Sequence, residues 1–334
     1  MVARWLQRQW FEQRRLPPAL WLLAPLAGLY SAVAERRRSR VVPERLAVPV
    51  IVVGNITVGG AGKTPLTIWL AGQLKARGWR PGIVSRGYGG RGSQPRPVKS
   101  ESVAVDVGDE PILLARRSGV PVWVGRDRVA AGQALLANHP DVNILLCDDG
   151  LQHYRLARDV ELAVFDRRGA GNGWRLPAGP LREPLSRLAE VDAVVCNGLP
   201  DQRLSPALPR FDMQLRPGDF YRLNDPQQRC SAPDLVGRNL HFHALAGIGD
   251  PERFFRTLAS LGLAFDRHPF PDHYAYSAAD LAFAKDAVLL MTEKDAVKCA
   301  GLTAGETWVL PVEAELSPAL IELILEKLRG RQVA

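Results

Sequence analysis

Six consecutive residues, Gly59-Gly60-Ala61-Gly62-Lys63-Thr64, have the composition of a phosphate cradle. Glycines let backbone N–H groups converge on phosphate oxygens, Lys63 carries a cation to the terminal phosphates, and Thr64 offers a hydroxyl to Mg²⁺. The pattern G-x-x-x-x-G-K-[ST] asks for glycine at position 57; here Thr57 stands there, followed by Val58. Two adjacent carboxylates, Asp148 and Asp149, close an apolar run from Asn143 to Cys147. An aspartate at the end of such a strand is where a phosphate-loop protein keeps the carboxylate that holds Mg²⁺. Asp109 and Glu110 stand just before Pro111, a position that suits a helix cap as well as a chemical role. His273, in Phe270-Pro271-Asp272-His273-Tyr274, puts an imidazole in a loop, where it can meet a ligand or simply face solvent. Arg86, in the glycine-rich run 85–92, and Arg182, beside Glu183 in the run 176–183, suit an anionic ligand. The first of these runs reads equally well as a mobile linker.

The elements that must position these groups follow from periodicity. Val50 to Val53 is an apolar, β-branched run of the kind buried on both faces of a parallel sheet, and the cradle connects it to a helical pattern. Further strands are expected at 81–85, 120–124, 143–148, 161–166 and 193–197, with helices at 67–77, 112–117 and 128–137. The repeating strand–helix order predicts a mostly parallel α/β sheet with helices on both faces and ligands at the carboxyl ends of its strands. A proline-containing shift at 204–217, with prolines at 206, 209 and 217, precedes a hairpin expected around Asn224-Asp225-Pro226. A second, smaller α/β unit starts near Asn239, with a strand at 308–312 and a final helix at 318–329. Its Thr292-Glu293-Lys294-Asp295 has the spacing of a weak base-reading NKxD. The expected organisation is an arm at 1–40, a phosphate-loop lobe at 41–212, a linker hairpin at 213–236 and a C-terminal lobe at 237–334.

Composition is that of an ordinary globular protein, with 46% hydrophobic and 23% charged residues. Cys147, Cys196, Cys230 and Cys299 are far apart and include no C-x-x-C pair, which fits reduced thiols in a reducing cytosol and excludes a zinc-ribbon pattern. The net charge is +8, but residues 1–40 hold eight arginines, Arg14 among them, against Glu12 and Glu35, so the arm carries +6 of it. A nucleic-acid enzyme spreads its basic charge over the folded domain, and this chain does not. In the arm, Val2, Leu6 and Trp10 share a helical face opposite Arg4, Arg8 and Arg15, and residues 16–34 run without a charge before Arg36-Arg37-Arg38. The expectation is a helical element lying in a membrane interface, with arginines on anionic head groups. A single spanning helix, weakened by Pro25 and Gly28, and a hairpin packed on the protein's own core are the alternatives.

Eight segments, GNITVGGAGKTP, SRGYGGRG, GDEP, DDGLQH, LPAGPLRE, AGIGDPERFF, FPDHY and TEKDAVK, occur in that order and span nearly the whole chain. Together the chain resembles the tetraacyldisaccharide 4'-kinase (lipid A 4'-kinase) family, whose phosphate loop also has threonine in place of the first glycine. The resemblance implies ATP, Mg²⁺ and transfer of the γ-phosphoryl group to the 4'-hydroxyl of a tetraacylated glucosamine disaccharide 1-phosphate. It places this step of lipid A synthesis at the cytoplasmic face of a Gram-negative inner membrane, with no nucleic acid and no known protein partner, in two α/β/α lobes joined by a two-stranded linker. By the same resemblance, residues Thr57, Val58, Gly59, Gly60, Ala61, Gly62, Lys63 and Thr64 wrap ATP. Thr64, Asp148, Glu110 and Asp149 gather at Mg²⁺. Asp109 accepts the hydroxyl proton with His273 paired to it, and Arg86, Arg182, Glu183, Gln152 and His153 face the substrate. The family usually has a second histidine after His273, where this chain has Tyr274, so only His273 is carried over. Two rivals remain. A cofactor-maturation GTPase or ligase with this deviant loop carries a lysine where Val58 stands, and a non-catalytic nucleotide sensor leaves Asp109 and Asp148-Asp149 without a role.

Overall fold

The computed structural model describes residues 2–332 except 14, 93, 199, 200, 202, 206, 286 and 304. Arg14 and Pro206 therefore lie outside the described residues, as do the side chains of Val2 and Arg4. Among the described residues, fifteen strands form two sheets. In chain order the first eight are β1 (Val50–Gly54), β2 (Pro81–Ser85), β3 (Arg96–Val98), β4 (Val122–Val124), β5 (Ile144–Asp148), β6 (Val160–Asp166), β7 (Ala193–Asn197) and β8 (Arg210–Pro217). The others are β9 (Phe220–Arg222), β10 (Asp225–Cys230), β11 (Phe242–Ala246), β12 (Phe265–Pro269), β13 (Val288–Thr292), β14 (Thr307–Leu310) and β15 (Val312–Leu316). The larger sheet has the order β15-β8-β7-β6-β1-β5-β2-β4-β3, parallel except for its two edge pairs, and the smaller has the order β10-β9-β14-β13-β11-β12.

The apolar run that begins the phosphate loop is buried on both faces because a helical layer covers each one. Ile51 and Val53 pack in one core with Leu66, Leu70 and Leu74 of the helix Lys63–Ala76. Val50 and Val52 belong to the other, with Val129 and Leu135 of the helix Arg128–Asn138. This period-two division is what a doubly covered parallel sheet requires. β1 lies between β5 and β6, so the phosphate loop and Asp148 leave adjacent strands at the same edge.

The expected division at 213–236 and 237–334 is not how the chain divides. The hairpin strands β9 and β10 both belong to the smaller sheet, β10 at its edge and β9 between β10 and β14. What joins the lobes is a ribbon: β8 runs into β9 alongside β14 and β15 in the opposite direction, with the Gly218 amide donating to the Pro311 carbonyl at 3.0 Å where the two crossings meet. The strand expected at 308–312 breaks at Pro311, which has no N–H to continue a ladder, and the chain changes sheets there. Residues 312–332 thus return to the first lobe, where Leu320, Ile321, Ile324 and Leu328 of the final helix Ala319–Gln332 join the core of Ile51 and Val53.

The arm comprises a helix Val2–Phe11, a 3-10 turn Pro18–Leu23 and a helix Ala24–Ser39. Its beginning is docked: Trp10 Nε1 donates to the Pro177 carbonyl at 3.1 Å, and the Arg168 guanidinium lies 4.4 Å from the Phe11 ring centre. Beyond that point Trp21, Leu22, Leu26, Leu29 and Val33 are exposed, and only Leu20 and Ala27 of this stretch are buried. The apolar run is therefore not packed on the protein's own core. Residues 18–39 form one stretch long and apolar enough to cross a membrane.

Candidate active site between the two lobes

The phosphate loop gets its shape from two left-handed glycines, Gly59 (φ 98°) and Gly62 (φ 99°). Gly62 precedes the helix that begins at Lys63, so the unpaired N–H groups of that first turn face the loop. Thr57 needs no glycine conformation. It makes an antiparallel bridge to Leu181, and the next amide, Val58, donates to the Pro180 carbonyl at 2.9 Å. The segment 176–183 thus braces the loop from outside. Asn55, fully buried, does so from within: its Nδ2 donates to the Gly59 carbonyl at 3.2 Å, and its Oδ1 accepts from Lys63 Nζ at 3.2 Å.

Lys63 also lies 3.3 Å from Asp149 Oδ1, which in turn meets Arg182 Nη1 at 3.4 Å. Burial raises the pKa of Asp149, but Lys63 and Arg182 outweigh it and hold the carboxyl below its usual range. Asp148, at the end of β5, is fully buried and accepts hydrogen bonds from Thr67 Oγ1 at 3.2 Å and Ser85 Oγ at 3.5 Å. No ion pair reaches it among the described residues. Burial first, and then the charge of Glu110, push its pKa up to about 7. A buried carboxylate with hydroxyl partners alone and Glu110 as a charged neighbour, together with the Thr64 hydroxyl of the phosphate loop, offers hard oxygens that suit a divalent cation on a nucleotide.

Asp109 and Glu110 open the helix Asp109–Ser118 rather than precede it, and both face the smaller lobe. The two oxygens of Asp109 lie 3.2 and 3.1 Å from His273 Nδ1, although 164 positions separate the residues in sequence. Burial opposes ionisation of Asp109, yet the His273 hydrogen bond and the Lys294 charge prevail and bring it to about 2. The same contact holds His273 above its ordinary value. His273 takes a positive φ of 57°, and its ring centre is 5.1 Å from that of Tyr88 in the glycine-rich run. Glu110 forms an ion pair with Lys294, whose charge is the largest factor keeping that carboxyl ionised.

The remaining sequence candidates are spread over two sides. Gln152 Nε2 donates to the Asn55 carbonyl at 3.0 Å and to Glu183 Oε2 at 2.9 Å, and Arg182 Nη1 donates to Gln152 Oε1 at 3.4 Å. These three form one polar group beside Asp149. Arg86 is exposed directly after β2. His153 is turned elsewhere: its Nε2 accepts from the Arg128 amide at 3.2 Å, and burial together with the charge of Arg128 lowers its pKa to about 4. It therefore caps a neighbouring helix as a neutral imidazole. The 292–295 run is no base reader either. Thr292 caps the helix Glu293–Cys299, and the buried Asp295 is held by Lys298 at 3.0 Å and by the Tyr276 hydroxyl at 2.9 Å. Lys294 is its outward-facing member. Sequence reading missed Asn55, Lys294 and the smaller lobe's wall of the cleft, where Gly249, Asp250, Arg253 and Thr257 face Gly60 to Thr64. The AGIGDPERFF segment was the available clue, since it carries Gly249, Asp250 and Arg253 on one glycine turn and one helix start.

A family model described as tetraacyldisaccharide-1-P 4'-kinase matches residues 19–329. The chain belongs to the tetraacyldisaccharide 4'-kinase family. It is accordingly a phosphotransferase of lipid A biosynthesis. It is similar to the tetraacyldisaccharide 4'-kinase of Dechloromonas aromatica, with 71% identity over 100% of both chains. A relative of the same name from Azoarcus sp. is 50% identical over 97% of this chain and 96% of its own. Among solved structures, LpxK from Aquifex aeolicus in complex with ATP superposes with a TM-score of 0.78 at 29% identity, covering 92% of this chain and 99% of that one. The two-lobed α/β architecture is therefore that of the family, and the cleft between the lobes lies where the phosphate loop opens.

Proposed function

We propose that this cleft carries the γ-phosphoryl group of ATP to the 4'-hydroxyl of a tetraacylated disaccharide 1-phosphate. The observation that carries the reading is the Asp109–His273 contact at 3.1 Å, formed from opposite lobes beside Lys63 and Asp148. Phosphoryl transfer asks a protein mainly for positioning and for charge neutralisation. Residues 57–64 wrap the triphosphate, and Lys63 leaves Asp149 to neutralise charge on its terminal oxygens. Thr64, Asp148 and Glu110, with Asp149 beside them, are the residues that would hold Mg²⁺. Bound there, the ion would screen the phosphates and favour loss of the nucleotide leaving group. Asp109 accepts the proton of the attacking hydroxyl, while the His273 N–H fixes the carboxylate's orientation and stabilises its charged form before transfer. Arg182 and Arg86 face the acceptor's own phosphate, with Gln152 and Glu183 setting the position of Arg182.

The arm supplies the route to a lipid acceptor. Its exposed Trp21, Leu22, Leu26 and Leu29 enter the interface, and Arg36, Arg37 and Arg40 meet anionic head groups at the cytoplasmic face of the inner membrane, where ATP is available. The Tyr30 hydroxyl donates to the Arg182 carbonyl at 3.3 Å, which sets the arm beside the polar group next to Asp149.

Asp109→Asn tests the chemistry. It preserves shape and most hydrogen bonding but accepts no proton, so kcat should fall by at least about 100-fold while ATP affinity holds. A variant that keeps its kcat and loses only about 1 kcal/mol of stability would make Asp109 a helix-start residue and nothing more.

A further inference from the structure

Three of the chain's six histidines meet on the far side of the smaller lobe from the phosphate loop. His241 and His243 alternate at the start of β11, and Asp266 and His268 alternate on β12, the edge strand beside it. The register pairs His243 with Asp266, so all four side chains project from one face of the two strands. His241 Nε2 lies 2.9 Å from Asp266 Oδ2, His243 Nδ1 lies 2.9 Å from His268 Nε2, and His243 Nδ1 lies 3.9 Å from Asp266 Oδ2. One donor atom each from His241, His243 and Asp266 falls within 4.8 Å of the others.

We propose that His241, His243 and Asp266 bind a late first-row divalent ion such as Zn²⁺ or Ni²⁺, with His268 the nearest fourth donor. A tetrahedral ion with metal–nitrogen bonds of about 2.0–2.1 Å sets its ligand atoms about 3.3 Å apart. The His241–Asp266, His243–His268 and His243–Asp266 separations of 2.9, 2.9 and 3.9 Å bracket that edge, and the His241 and His243 donors, within 4.8 Å of each other, have at most about 1.5 Å to close. The donors also select the ion. Imidazoles favour zinc, nickel and copper, whereas Mg²⁺ prefers oxygen ligands such as those at Asp148. Packing pre-arranges the fourth donor: the His268 ring stacks on Phe283 with centres 3.7 Å apart and planes 9° from parallel. The site is separate from the nucleotide cleft, which β11 meets only at its other end, through Ile248 and Gly249.

The test is isothermal titration of full-length, tag-free, EDTA-stripped protein with ZnCl₂ and then NiCl₂. One saturable site with a micromolar dissociation constant is expected. Its affinity should fall at least about tenfold in His243→Ala and in Asp266→Asn, and remain unchanged in His273→Gln. His241→Gln is the variant least able to disturb folding, since that side chain is 64% exposed. It too should weaken binding, and ATP binding measured on the same preparation should match wild type. The proposal is overturned by the lack of saturable binding up to about 1 mM. It is equally overturned if affinity survives the His241→Gln/His243→Gln double variant, or disappears in His273→Gln, which would put the ion at the Asp109 pair.

Discussion

Replacing Asp148 with asparagine should stabilise the free protein and disable it. The carboxylate is fully buried, accepts only the Thr67 and Ser85 hydroxyls and has Glu110 as a like-charged neighbour. Asparagine keeps one oxygen for Thr67, and its amide can donate to Ser85 once that hydroxyl turns. The substitution thus removes an uncompensated charge at little cost in shape. Removing such a penalty is worth roughly 1–3 kcal/mol. For a lobe of this size each kcal/mol moves the unfolding midpoint by about 2–4 °C. The pH dependence fixes the sign. Because burial and Glu110 raise the pKa of Asp148 to about 7, above the unfolded value of about 3.9, its stabilising contribution is present in full below about pH 4 and is lost as pH rises through 7. Without nucleotide or Mg²⁺, Asp148→Asn should therefore unfold several degrees above wild type at pH 8 and by a much smaller margin at pH 5. Turnover with Mg²⁺ and ATP should fall by at least about 100-fold, because a cation-holding carboxylate is gone. Differential scanning fluorimetry at both pH values, with a kinase assay on the same samples, reads both effects. A lower midpoint at pH 8 together with retained turnover would refute the placement of Asp148 as an unpaired cation ligand.

Lys63→Ala should lower kcat by about 100-fold or more with the fold intact by circular dichroism, because it deletes a preorganised charge contact to the terminal phosphates. His273→Ala removes the hydrogen bond that does most to offset burial at Asp109, so that carboxyl should titrate at higher pH. The acid limb of the kcat/KM profile should then move up towards neutrality, and an unmoved limb would separate His273 from the base. In the arm, Arg38 is committed to Glu190 and lies 4.7 Å from the Tyr154 ring centre, whereas Arg36, Arg37 and Arg40 are exposed. Changing these three to Gln should weaken binding to anionic vesicles at about 1 kcal/mol per charge and leave binding to neutral vesicles nearly unchanged. The charge-dependent part should disappear at about 1 M salt, where the Debye length is about 3 Å, while the apolar part persists; equal binding of variant and parent would refute the electrostatic role.

The phosphate loop, the parallel sheet and Asp148 at a strand end could be read from the sequence because each is a local pattern: a two-face-buried β run, a glycine turn and a helix start. Thr57 reads as a departure because the motif describes the loop alone; its fit becomes plain only with the bridge to Leu181, 124 positions further on. The lobe boundary was misread for a related reason. Composition marks where a strand ends, but nothing local tells that Pro311 sends the chain back to a sheet left at Pro217. His153 followed DDGLQH into the expected site, yet its ring is claimed by the N-terminus of a helix that lies earlier in sequence. Lys294 was hidden inside a motif with another meaning, and its contact with Glu110 exists only once the two lobes face each other. The Asp109–His273 contact also spans the lobes, and family resemblance, not spacing, pointed to it.

The central claim is transfer to the sugar lipid, and one measurement addresses it directly: incubation of the protein with γ-radiolabelled ATP, Mg²⁺ and tetraacyldisaccharide 1-phosphate in mixed micelles, followed by mapping of the label. The expected result is label on the 4'-oxygen of the lipid, present with wild type and reduced by at least about 100-fold in Asp109→Asn. Hydrolysis of ATP with unlabelled lipid, or label at any other position, would contradict the account.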